Sequence, residues 1–287
     1  MLRVAIPGGV WSDDAQQTGE PLREVALRPV GGEDEAFLLD VADHAVPSER
    51  ATALLTRCLD VATADKTARA LTVGDREALL LHLRRLTLGE TFDCVLRCPA
   101  DQCGEQMEFE LRVADLLVPA YDDVRQVYEL GLDADGARYE ISFRLPTAAD
   151  LDHAAMFAAI DAQRGAYVLL ERCVVRALRD HNIVSVDALA PVVRDAISAA
   201  MAERDPQAEI ELELECPACG TAFSIVFDTA MFFLQELDER AAQLTQEVHT
   251  LALHYHWSER EIMQMPRRRR TRYLELVSGA VARKEHP

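Results

Sequence analysis

Four of the seven cysteines fall in two short, similar segments, Cys98-Pro-Ala-Asp-Gln-Cys103-Gly104 and Cys216-Pro-Ala-Cys219-Gly220. A proline after the first cysteine and a glycine after the second bend each segment so that both sulfurs face one point. The glycine relieves crowding where backbone amides turn toward the sulfurs. Two such pairs supply the four thiolates of a closed tetrahedral site. The spacing therefore predicts one structural zinc ion held by Cys98, Cys103, Cys216 and Cys219. The competing reading is two tight turns whose cysteines are merely reduced. Cys94 is a lesser candidate in place of Cys98 or Cys103, set back in the preceding strand. Four protein thiolates leave no position for water or substrate, which makes the site structural rather than catalytic. Cys58 and Cys173 lie on apolar helical stripes and read as core residues.

Strands must present both pairs. Residues 91–97 read as a strand and 105–113 alternate apolar and polar around the first pair; 208–215 and 222–227 repeat the pattern around the second. Strand, knuckle, strand thus occurs twice, with the inner cysteines 113 residues apart. The intervening chain reads as a hairpin, 124–130 with 137–145, turning at Asp133-Ala-Asp-Gly136, followed by three helices near 148–162, 164–181 and 186–204. The turn slightly resembles a calcium loop but lacks the closing glutamate at the required distance. Thr147 caps the first helix, with Asp150 as its third residue. Upstream, 1–46 reads as an irregular lead with short strands (22–29 alternates and 36–39 is an apolar run). A helix over 47–62 follows with Ser48 as N-cap, then a linker to residue 70. A further helix starts at Gly74, capped by Asp75 and ended by Gly89. Downstream, a long helix spans 229–256, Ser258 and Glu261 form a capping box, and Pro266 precedes a last helix.

The net charge of −19 repels nucleic acid and anionic lipid, whose binding depends on Lys and Arg. From Arg260 onward, however, eight Lys or Arg face three Glu. This basic tail suggests docking onto an acidic protein surface, a second copy of the chain included; a solvated helix end is the plainer reading. The apolar run at the start is broken too early for a signal peptide, and no uninterrupted apolar stretch approaches eighteen residues. An odd cysteine count without an export signal fits thiolates in a reducing compartment better than disulfides. His249, His254 and His256 cluster near one helix end, and Asp122-Asp123 lies in a loop; neither forms a recognisable catalytic pattern. Arg267 to Arg270 with Arg272 could grip phosphates, but they lack interleaved aromatics in an acidic chain.

Several segments together carry a resemblance. Leu27-Arg-Pro-Val-Gly-Gly-Glu-Asp-Glu35, Leu71-Thr-Val-Gly-Asp-Arg-Glu-Ala-Leu-Leu80 and Leu83-Arg-Arg-Leu-Thr-Leu-Gly89, with the Cys-Pro turn that follows, resemble the T-even-type phage baseplate protein family. The likeness is clearest over residues 22–118 and extends to Phe143-Arg-Leu-Pro-Thr147. The tail, Tyr255-His-Trp-Ser-Glu-Arg-Glu-Ile262 with Pro266-Arg-Arg-Arg-Arg270, is similar to short helical proteins encoded beside such tail genes. The resemblance implies a component or assembly factor of a contractile phage tail or injection-system baseplate. Its partners would be hub, wedge or tail proteins, and it would have no enzymatic activity and no small-molecule substrate. It would be cytoplasmic during assembly and a candidate for the finished particle.

The expected fold class is α+β, with two zinc-knuckle hairpins joined by a helical insertion and a long C-terminal helical tail. The expected segments are 1–118, a hairpin over 119–146, the insertion over 147–206, the second knuckle over 207–228 and the tail over 229–287. Two other classes compete: a zinc-ribbon nucleic-acid-binding regulator and a metal-dependent enzyme. Glu105, Glu108, Glu213 and Glu215 around the knuckles oppose the first. The closed ligand set opposes the second.

Overall fold

The computed structural model describes residues 1–11, 20–42, 44–61 and 64–285, with side chains to residue 280. Among these residues helices and small antiparallel sheets mix in an α+β arrangement, and no helix is long and apolar enough to cross a membrane.

β1 (Leu2–Val10) pairs with β2 (Leu22–Leu27), and the ladder breaks between Ala5 and Val10, where Gly9 takes φ 93°. Four helices follow: α1 (Gly32–Val41), α2 (Pro47–Cys58), α3 (Ala64–Ala70) and α4 (Val73–Leu88). Their apolar faces close one core with the first sheet, in which Leu38, Leu54, Leu55, Leu79, Leu80 and Leu83 are buried. Three local expectations change here. The run 36–39 lies within α1, because the Asp34 carboxylate accepts the Gly31 amide at 2.9 Å and fixes a helix start. Residues 64–70 form α3 rather than linker. Ser48 does not cap α2: Pro47 occupies its first position, where the missing amide costs nothing, and Ser48 turns to Asp152 instead.

Asp75 is also displaced from its expected role. Thr72 caps α4 by accepting the Asp75 amide, and the buried Asp75 carboxylate accepts the Gly8 and Gly9 amides, both at 2.7 Å. Burial outweighs these two hydrogen bonds and, with Asp205 nearby, pushes the Asp75 carboxyl up to about 6. Asp205 accepts the Gly74 amide at 2.9 Å and the Tyr121 hydroxyl at 2.7 Å. Gly89 ends α4 at φ 109°, a positive φ that favours glycine.

β3 (Thr91–Arg97) and β4 (Gln106–Arg112) form one hairpin, followed by the short α5 (Val113–Leu116). β5 (Tyr128–Ala134) and β6 (Ala137–Phe143) form a second, turned by Asp135 and Gly136, both at positive φ. α6 (Ala148–Ala158) opens with the Thr147–Asp150 capping box, and α7 (Ala162–Cys173) follows. The helix expected over 164–181 stops at Cys173. Val174–Arg179 is β7, which pairs with β6 and then with the two-residue β8 (Asn182–Ile183), giving the sheet order β5-β6-β7-β8. The free edge of β6 and the β-branched Val174-Val175 pair override helical continuation. The third expected helix is shortened too. Pro191 keeps Ala190 extended at ψ 149° and becomes the first residue of α8 (Pro191–Arg204). The segment expected to be wholly helical therefore completes the sheet begun by the preceding hairpin. Tyr139, Ile141, Phe143, Val193 and Ile197 pack in its core.

β9 (Glu211–Glu215) and β10 (Ala222–Val226) form the last hairpin. α9 (Thr229–Tyr255) runs 27 residues, capped by Asp228 and ended by His256 at φ 56°. α10 (Glu259–Met263) carries the expected Ser258–Glu261 capping box, and α11 (Arg267–Glu285) closes the chain.

Candidate metal centre

The two cysteine pairs meet although neither hairpin is long. The Cys98 amide donates to the Glu105 carbonyl at 2.9 Å and the Cys216 amide to the Thr221 carbonyl at 3.0 Å, so each knuckle closes its own hairpin. Gly104 and Gly220 take φ 62° and 69°, conformations that favour glycine. This is why the glycine after each second cysteine matters.

The four sulfurs converge. Cys98 Sγ lies 3.7 Å from Cys219 Sγ, and Cys103 Sγ lies 3.7 Å from Cys216 Sγ. All four lie within 4.8 Å of one another, and no disulfide joins them. The set could hold a metal ion, and it is the one such convergence of three or more His, Cys, Asp or Glu ligands among the described residues. Met107 is buried beside Cys98 and Cys216, with Leu96 and Phe223 packed against them.

The electrostatics fit a cation. The Ala100 amide favours the Cys98 thiolate, yet burial and the three neighbouring sulfurs push that thiol up to about 12. The Thr221 hydroxyl and amide draw Cys219 the other way, down to about 6. Without a positive charge, four sulfurs this close oppose one another's ionisation. Thr221, with Oγ1 3.2 Å from Cys219 Sγ, escaped the sequence reading. Its signal is a hydroxyl residue directly after the Cys-Gly step.

A second contact joins the hairpins at their bases. Phe92, Phe227 and Phe232 form a ring cluster with centroids 5.4–5.5 Å apart, and the Arg84 guanidinium sits 4.0 Å over Phe92. Cys94 belongs to this apolar cluster rather than to the sulfur group.

The remaining sequence candidates lie elsewhere. Cys58 and Cys173 are buried, and burial pushes both thiols up to about 12. Asp133 pairs with Arg138 at 2.9 Å beside a plain hairpin turn. Asp122 and Asp123 are exposed, and Asp123 pairs with Arg125 at 2.7 Å. His254 Nδ1 lies 2.9 Å from the Thr250 carbonyl, and His256 is the C-cap of α9.

The basic run divides. Arg268 and Arg269 are exposed, but Arg270 is only 1% exposed and lies 2.6 Å from Glu35 and 3.1 Å from Glu247. Arg270 thus faces acids of its own chain, so this arginine is taken out of the basic tail expected to dock onto an acidic surface. A Cβ on Gly32 would fall 2.8 Å from Arg270 Nη1, so the glycine lets this arm close onto α1. The missed signal was the helical stripe through Arg270, Tyr273, Leu274 and Val277.

No curated protein and no solved structure matches the chain. Residues 15–234 match the family described as T4 bacteriophage base plate protein. With most of its length covered, the chain belongs to the T4 bacteriophage base plate protein family.

Proposed function

We propose that the chain is a structural or assembly protein of a contractile-tail or injection-system baseplate, stapled by a structural zinc ion on Cys98, Cys103, Cys216 and Cys219. Family membership supports the baseplate role. The observation that carries the metal assignment is the sulfur geometry. Four thiolates about 2.3 Å from one zinc stand about 3.8 Å apart in a tetrahedron, and two cross-hairpin pairs stand 3.7 Å apart. A disulfide would need about 2.05 Å.

Bound zinc would supply positive charge and a rigid crosslink, and its closed coordination leaves no position for substrate. The ion would join 1–118 and 207–228 into one unit, from which 119–206 emerges as an insertion and 229–287 as a tail. The partners in this reading are hub, wedge or tail proteins met in the cytoplasm during assembly. Nucleic acid is a poor partner, because exposed Glu105, Glu108, Glu213 and Glu215 surround the knuckles.

Elemental analysis of the purified chain tests the metal. The expected result is about one zinc per chain in the wild type, lost in both Cys98→Ser and Cys216→Ser. A zinc-free wild type with full stability would overturn the staple. Gradient-purified particles and assembly intermediates test the role: the tagged chain should appear in one or the other, and absence from both would refute a baseplate function.

A further inference from the structure

Three of the large exposed apolar side chains meet at one place. Val95 (57% exposed), Val226 (61%) and Met231 (57%) stand around a cleft of about 220 Å³ between β3, β10 and the first turn of α9. Phe109, Leu212 and Ile225 line it. Carboxylates border it. Glu108 is directly opposite Val95, and Glu211 directly opposite Val226. Asp93 faces Glu110 across the ladder, a like-charge pairing that costs stability when left alone. Glu211, Glu213 and Glu215 alternate along one exposed face of β9. None of Asp93, Glu110, Glu211 or Glu213 has a cationic partner among the described residues. An apolar cleft ringed by unpaired acids fits an apolar side chain flanked by cations.

The chain carries that chemistry at the far end of α9. On α11, Arg270, Tyr273 and Val277 turn inward, leaving on the exposed face Arg268, Arg269, Leu276 and Arg272, the last paired with Glu275 at 2.9 Å. Leu276 is 48% exposed. α11 starts beside Glu247 and passes Tyr255, so it runs away from the cleft at the start of α9. The 16 residues from Met231 to Glu247 span about 24 Å, and Leu276 lies further still from the cleft, so it does not reach it within one molecule.

We propose that the cleft between β3 and β10 receives the Arg268–Leu276 face of α11 from a second copy of the chain. Leu276 enters the apolar cleft, and Arg268 and Arg269 face the carboxylates on β3, β4 and β9. The two surfaces differ, so the contact is head-to-tail: each copy has a free cleft at one end and a free helix at the other.

Sedimentation of the purified full-length chain over a concentration series tests this. At low salt the average mass should rise with concentration beyond that of one chain, and salt should reverse the rise. Glu211→Lys with Glu213→Lys, and Arg268→Glu with Arg269→Glu, should each sediment as single chains. An equimolar mixture of the two variants should associate again, because reversed cleft meets reversed helix. Leu276→Ser, remote from hairpins and cysteines, should weaken association about tenfold, the effect of losing one apolar anchor. A wild type that stays a single chain throughout overturns the proposal. So does association that survives either reversal, or a mixture that fails to associate.

Discussion

The sheet β5-β6-β7-β8 and the two knuckle hairpins are built from the same alternating strands, yet they are held in different ways. The four-stranded sheet buries Tyr139, Ile141 and Phe143 against Leu189, Val193 and Ile197 from the segment that includes α8. Each knuckle hairpin has only two strands, and at its tip the buried set shrinks to Cys98, Met107 and Cys216. A two-stranded ribbon is marginal alone in water. The difference teaches that where apolar area is short, four converging sulfurs stand in its place, at the knuckle end rather than beside the Phe92–Phe227–Phe232 cluster, and the proposed metal would add directed bonds there.

Disrupting the proposed metal site should separate the two regions most sharply. Cys216→Ser, or a strong chelator, should abolish metal binding. The loss should be bounded by about 10 kcal/mol, the low end for isolated zinc modules. Hydrogen exchange should accelerate over residues 91–112 and 211–226 while residues 128–197 keep their protection; uniform loss across both regions would erase the distinction.

The converse experiment is Phe143→Ala. It should cost about 3–5 kcal/mol in urea unfolding, the range for a buried phenylalanine, with metal content unchanged.

Arg270→Ala tests a third means of attachment. It leaves Glu35, 2% exposed, without its closest cation. Breaking a buried pair costs about 3–5 kcal/mol, seen as a lower melting temperature and faster exchange in α10 and α11.

The smallest effect lies outside both regions, where Asp75 of α4 holds β1. Asp75 titrates near 6 in the fold and near 3.9 in an unfolded chain. The folded state therefore binds the proton more tightly. Stability from this group is fully present below about pH 4 and is lost as pH rises toward 6, by at most about 3 kcal/mol. Asp205, also raised by burial, acts in the same direction. Asp75→Asn should flatten the stability profile between pH 4 and 6; an unchanged slope would show that Asp75 does not set it.

Much of the local structure was legible. The Thr147–Asp150 and Ser258–Glu261 boxes, the Gly89 stop, the Asp135-Gly136 turn and the long α9 follow from residues a few positions apart. The misread places share a cause. Val174–Arg179 has no helix breaker before it, so only the waiting edge of β6 makes it a strand. Asp75 is a good capping residue by type, but the amides of Gly8 and Gly9 claim its carboxylate from 67 and 66 positions away.

The sequence by itself determined how each cysteine pair bends, because proline, glycine and hairpin register act within a few residues. It also determined which strands alternate and where some helices begin or end, as at the Thr147–Asp150 and Ser258–Glu261 boxes and at Gly89. Only the tertiary structure decided that Cys98 meets Cys219 and Cys103 meets Cys216, across 121 and 113 residues. Only the tertiary structure turned Arg270 inward from a row of arginines that local reading treats alike. Local torsional and capping preferences are written in neighbouring residues. The choice of a distant partner depends on which surfaces remain unpaired once the rest of the chain has packed.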